Sequence, residues 1–245
     1  MKFSRVGASL IGVLIAEIRS AVRLVRTWLF GCLSVGVTLA VFGFLAYAHG
    51  MRSDHRPIAG LFGPRFLIAE IGTYLLWVQL CGVLFLIFDG RARDIRDGMV
   101  EVLDSRPLSN LALLGGRLTG VVVATWLPVL LAAGLIQVAG LLGRHYWWMG
   151  DPVEPVSLAA FVLIDVLPAL VLWGAVVTLL NSLLRNRAAV VVVALGLLGV
   201  QMWAVWNVPV YLLPVISLAA AHGGWASDLA PRFADDATLA NRAIV

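Results

Sequence analysis

Apolar runs of nearly twenty residues and more, separated by stretches that hold almost all the charge, constrain this chain more than any other feature. A helix rises 1.5 Å per residue, so about 20 apolar residues cross the roughly 30 Å of hydrocarbon in a bilayer. Four runs meet that length, Trp28–His49, Phe66–Phe88, Leu118–Gly143 and Val156–Leu184, and a fifth, Ala188–Trp206, just meets it. Composition agrees: 61% of the 245 residues are hydrophobic and 13% are charged, where a soluble domain carries about 25% charged residues. Too little polar surface remains to cover a water-soluble globule, and the same balance excludes a disordered tail and a secreted disulfide framework. Cys32 and Cys81 both fall inside apolar runs and read as buried free thiols. The expected fold class is an all-α polytopic membrane protein.

After the fifth run comes a 14-residue apolar piece, Val208–Ala221, that holds Pro209 and Pro214. At helical rise it reaches about 21 Å, too short to cross. It reads as a re-entrant or interfacial segment, which survives at membrane depth only when packed on protein or lining a wet cavity. No sixth spanning run follows before Val245, and segment 208–245 is expected to lie at the outer side.

Charge sets the orientation. The chain carries 18 basic and 14 acidic residues, and Lys2 is its only lysine. The basic residues sit between apolar runs, which points to a topological role rather than to a nucleic-acid surface. With the N-terminus inside, twelve of the eighteen fall on inner segments. That bias predicts a cytoplasmic N-terminus, and five spans then place the C-terminus outside. Residues 1–27 resemble a signal peptide only superficially, because no small-x-small cleavage site precedes Glu17 and Arg19. Instead Ile11, Leu14, Ile15, Ile18, Val22, Val25 and Leu29 recur at helical spacing, with Glu17, Arg19, Arg23 and Arg26 off that stripe. The pattern predicts an amphipathic interfacial helix over 1–27 and a single transmembrane domain over 28–245. A packed cytoplasmic helix is the alternative reading of the same stripe.

The most informative stretch is 89–117. It sets five arginines and five acids (Asp89, Asp94, Asp97, Glu101 and Asp104) between two spanning runs. Asp89/Arg93 and Arg93/Asp97 stand at i,i+4 spacing, each pair worth only about 0.2–0.5 kcal/mol, but together supporting a short helix in water. Ile95, Met99, Val102 and Leu103 give it a narrow apolar face. Pro107 disfavours helical geometry at Arg106, and Ser109 is placed to cap the next helix. The expected product is a cytosolic helix, a break, and a second helix that runs into the membrane. A solvated loop that merely closes a hairpin is the plainer alternative.

The run Arg-Asp-Gly-Met-Val-Glu-Val-Leu-Asp-Ser-Arg-Pro-Leu-Ser, followed by Leu113-Leu114-Gly115-Gly116-Arg117, resembles the cytoplasmic segment of ABC-2 type ABC transporter permeases. The matching positions are Gly98, Glu101, Leu103, Ser105, Pro107, Ser109, Leu113, Gly116 and Arg117. Two positions depart from the pattern: Arg106 stands where Thr or Ser is common, and an extra glycine precedes Arg117. The resemblance implies a permease subunit in which the segment is a coupling helix that docks into a separate ATPase subunit. Arg93, Asp97, Glu101 and Arg106 would make the polar docking contacts, with Met99 and Leu103 as the apolar insert. Two permease copies, or two related halves, would then form the pathway through the lipid of a bacterial inner membrane. The family has six spans with re-entrant helices between the fifth and sixth, so the chain is expected to be a fragment or to stop early.

No Gly-x-x-x-x-Gly-Lys-Ser/Thr run is present, so ATP and Mg²⁺ are expected on the partner chain and no cofactor on this one. His49, His55, His145 and His222 form no metal-ligand pattern, and no Gly-x-Ser-x-Gly elbow occurs, so the chain reads as a transport subunit rather than an enzyme. Two carboxylates fall within spans: Glu70 about one turn into the second, and Asp165 deep in the fourth with Pro168 just beyond. Intramembrane carboxylates face a partner or a wet cavity, which makes both candidates for a pathway or gating role. Gln79, Gln137, Asn181 and Gln201 are expected to bond between helices or subunits. Two other classes stay open: a membrane-embedded enzyme acting on lipid with Asp165 as base, and a non-transporting scaffold whose charged segment binds a different cytosolic partner.

Overall fold

The computed structural model describes residues 2–53, 64–88, 110–143, 155–184 and 186–207, all of it helix or short turn. The segments 89–109 and 208–245, on which the coupling helix and the re-entrant piece were expected, lie outside the described residues. Six helices follow in order: α1 (Lys2–Arg23), α2 (Val25–Ser53), α3 (Pro64–Ile87), α4 (Asn110–Gly143), α5 (Pro155–Leu183) and α6 (Arg187–Asn207). Among the described residues α2, α4, α5 and α6 are long and apolar enough to cross a membrane, which fits an integral membrane protein. Helix α3 has 24 residues, and its apolar stretch Ile71–Ile87 packs in the middle of the bundle.

The core is formed by α3, α4 and α5. Leu76, Leu80 and Val83 of α3 meet Val122 and Val129 of α4 and Val166, Leu170 and Val177 of α5, all buried. Trp173 of α5 is the largest fully buried side chain, and its indole N–H donates to the Leu80 carbonyl of α3 at 2.8 Å. Gly174 leaves room here for the tip of Leu118 of α4, whose Cδ1 would stand 2.6 Å from an added Cβ and would have to turn aside. A glycine that lets helices come together is the usual membrane solution, because lipid tails supply no hydrophobic drive between helices and van der Waals fit must do the work.

Helices α1 and α2 are separated by one non-helical residue, Leu24. The Leu24 N–H donates to Ala21 O at 3.1 Å and the Thr27 N–H to Leu24 O at 3.0 Å, tightening the helix ends to i,i+3 spacing. The Trp28 indole donates to Val22 O at 2.8 Å and satisfies a carbonyl that the turn releases. Helix α2 starts at Val25, three residues ahead of the start expected for the first span at Trp28. At the other end of the bundle's order, α5 and α6 are joined by a tight hairpin. Asn186 caps α6, its Oδ1 accepting the Ala188 N–H at 3.0 Å.

Helix α1 lies against α4, and it does so with an edge that the stripe predicts only in part. Leu14, Glu17 and Ala21 face the bundle, half-buried or buried, while Ile11, Ile15 and Val22 are exposed. The seam runs over Gly116 and Gly120 of α4, both buried, and a Cβ at Gly120 would stand 2.8 Å from Glu17 Cβ. Glu17, read as part of the solvated polar face, is therefore part of the packed one. Leu14 and Ile18 of the apolar stripe are half-buried, while Ile11, Ile15 and Val22 are left outward, next to exposed Arg19 and Arg23.

Both cysteines are free thiols. Cys81 is half-buried, but Cys32 is exposed on the outward side of α2, against the expectation of burial. The reason is general: a helix facing lipid can expose any apolar residue without cost, so an apolar run does not tell which of its members are packed.

Candidate functional site

Of the residues assigned to docking, Arg93, Asp97, Met99, Glu101, Leu103 and Arg106 all lie outside the described residues. The structure describes the two helices that flank them. Helix α3 ends at Ile87, and α4 begins at Asn110 and passes through Arg117, the last residue of the motif. Glu70 stands near the start of α3, at the opposite end of that helix from the motif.

Asp165 is 1% exposed and sits in a six-residue π-helical turn, Phe161–Val166, within α5. Pro168 supplies a cause. Having no N–H, it cannot donate to the carbonyl four residues back, and its ring crowds that carbonyl, so the preceding turn is wound wider. The carbonyl of Val162 in this turn accepts the Trp126 indole N–H from α4 at 3.3 Å. Among the described residues Asp165 is the one buried ionisable side chain. Its Oδ2 has no hydrogen-bond partner, although the residue takes part in another polar interaction. A widened turn carrying a buried carboxylate is a feature that clusters at functional positions. The sequence showed the carboxylate and the proline but carries no periodic signal for the π turn.

Two polar inter-helix contacts bear out the expectation for amide side chains. Gln79 Nε2 donates to Ser34 Oγ across α2 and α3, and Asn181 Nδ2 donates to Ile87 O across α5 and α3 at 3.4 Å. Gln79 is fully buried and its Oε1 accepts no hydrogen bond.

A partly open cavity of about 190 Å³ lies where α3 ends, α4 begins and α5 ends, with α1 closing one side. Its polar lining is Glu17 of α1, Arg117 of α4, and Thr178, Asn181 and Ser182 of α5; Leu86, Leu118 and Val121 are among its apolar walls. The three α5 residues stand at i, i+3 and i+4, which places them on one face of the last turns. That spacing, together with an arginine at the head of α4, was the available sequence signal, and the sequence reading did not connect the two. Asp165 does not line this cavity; thirteen residues before Thr178, it lies roughly 20 Å away along the helix.

No model of a known protein family matches the chain, and no curated protein matches it.

Proposed function

We propose that this chain is the membrane-spanning permease subunit of an ATP-driven ABC-2 type transporter. In this reading it forms the translocation pathway with a second copy or a related half, and couples through segment 89–117 to a separate ATPase subunit. The observation that carries the proposal is the motif run from Arg96 to Arg117. It starts after the apolar helix α3 and ends within α4, downstream of an amphipathic α1, the order the family uses.

The topology in this reading has five spans, α2 to α6, with α1 at the cytoplasmic surface and the C-terminus outside. ATP-driven closure of the partner subunits pushes segment Asp94–Asp104, and the force passes into α4, whose first two turns carry the end of the motif. Glu101, Asp97, Arg93 and Arg106 make the charged contacts that tune encounter and specificity, while Met99 and Leu103 supply buried anchors. Glu70 and Asp165 are pathway or gating residues in the same scheme.

The test is a search of the neighbouring open reading frames for a Walker-bearing ATPase, co-expression of this chain with it, and reconstitution into vesicles. A stable complex with stimulated ATPase activity is expected, and Glu101→Arg should abolish the stimulation while membrane insertion stays intact. Unchanged stimulation in that variant counts against the docking role. An inserted chain that binds no ATPase sinks the permease reading.

A further inference from the structure

The cavity at the α1 end of the bundle has an unusual balance of hydrogen-bonding groups. The Thr178 hydroxyl donates to Gly174 O at 2.7 Å and the Ser182 hydroxyl to Leu179 O at 2.7 Å, so each has already used its single proton inside its own helix. The Asn181 amide donates to Ile87 O. What these three residues have left for a ligand is chiefly acceptor oxygen, and the Glu17 carboxylate adds more. Among the described lining residues Arg117 is the one that carries a positive charge. Glu17 and Arg117 each take part in a polar interaction already, yet a carboxylate offers about four lone-pair positions and a guanidinium five N–H donors, so both can take a ligand in addition.

We infer that this cavity binds the headgroup of a phospholipid bearing both a phosphate and a primary ammonium, the phosphoethanolamine class. The phosphate meets Arg117, whose planar fork suits phosphate oxygens, and the ammonium meets Glu17 with the oxygens of Thr178, Asn181 and Ser182. One charge of each sign in the lining favours a zwitterion over a purely anionic headgroup. Among the described lining residues none is aromatic, so they offer a quaternary ammonium no cation–π box, and a choline headgroup gains nothing from them to replace the hydrogen bonds it cannot make. The apolar walls Leu86, Leu114, Leu118 and Val121, together with the outward stripe Ile11, Ile15 and Val22 of α1, suit the acyl end of a lipid rather than a free headgroup. The described lining comes from α1, α3, α4 and α5, and the inference does not rest on the permease reading.

The experiment is native mass spectrometry of the purified chain from micelles containing equal amounts of phosphatidylethanolamine, phosphatidylglycerol and phosphatidylcholine with matched acyl chains. The expected result is at least tenfold greater retention of phosphatidylethanolamine than of either competitor. Arg117→Gln should remove that preference, and Glu17→Gln should shift it toward phosphatidylglycerol. Because both charges sit near the α1–α4 seam, Thr178→Val is the control for a folding defect; it keeps the helix surface and should lower phosphatidylethanolamine retention two- to fivefold. Equal retention of the three lipids by the unaltered chain, or retention unchanged in Arg117→Gln and Thr178→Val, overturns the proposal. Soluble phosphoethanolamine should fail to displace the lipid at millimolar concentration; displacement as effective as that by a short-chain lipid overturns the lipid assignment.

Discussion

Helices α5 and α6 are neighbours in the chain, are joined by a hairpin, and both can span a membrane, yet they are packed in opposite ways. Half of the apolar window of α5 is buried, against 22% for α6. Trp173 of α5 is 2% exposed and hydrogen-bonded to α3, whereas Trp203 of α6 is 63% exposed. In water this contrast would mark α6 as misfolded. In lipid it marks a division of labour, because an apolar surface needs no protein cover there and only fit or polar contact holds helices together.

Substitutions on the two helices sharpen the contrast most. Trp173→Ala removes a buried ring and leaves the Leu80 carbonyl without its indole donor, so a loss of about 3–5 kcal/mol is expected. Trp203→Ala should change stability by less than about 0.5 kcal/mol in the same measurement. Unfolding midpoints in mixed micelles would compare them, and similar losses at both sites would break the distinction between core and shell.

The α1–α4 seam comes next in size. Gly120→Val would place a branched side chain against Glu17 Cβ, already 2.8 Å from an added Cβ, and overpacking of this kind costs about 1–3 kcal/mol. Amide hydrogen exchange across Leu14–Ala21 should rise in this variant while exchange in α5 stays slow. If α5 loosens to the same degree, α1 is an integral part of the core rather than a helix docked on its surface.

The α2–α3 contact should give the smallest effect. Ser34→Ala leaves the buried Gln79 amide N–H without its acceptor. Single polar contacts between membrane helices are worth about 0.6 kcal/mol on average, with a maximum near 1.7. A loss in that range is expected from the same unfolding measurement, and Gln79→Met, which removes the unmatched Oε1 as well, should cost less than Ser34→Ala.

The legible part of the fold was what hydropathy encodes. The run boundaries at Val156–Leu184 and Ala188–Trp206 lie within a residue or two of α5 and α6, because Asn186 and Arg187 interrupt the apolar run where the hairpin turns. What hydropathy does not encode is which side of an apolar helix meets protein. The stripe of Ile11, Leu14, Ile15, Ile18 and Val22 is visible in the sequence, but only Leu14 and Ile18 of these are half-buried, and the packed edge of α1 continues through Glu17, set against Gly120 of α4, and Ala21. Gly120, three residues past the motif's Arg117, carries no sequence signal of its role, yet it is the glycine that meets Glu17 and Leu14 of α1. Asp165 and Pro168 were both marked, and only three-dimensional structure joins them as a widened turn. The cavity was missed for the same reason: its five polar residues come from three helices and are far apart in the chain.

The single-residue turn at Leu24 has a mechanical consequence. Helix α1 is 22 residues long, a rigid arm of about 33 Å at helical rise, pivoted on Leu24 and resting on α4. A rotation of about 10° at that pivot carries the far end of the arm through roughly 6 Å. Small tilts of α4 relative to α2 are thus magnified along the surface, so the N-terminal end of α1 is where a distance probe would register motion inside the bundle with the greatest gain.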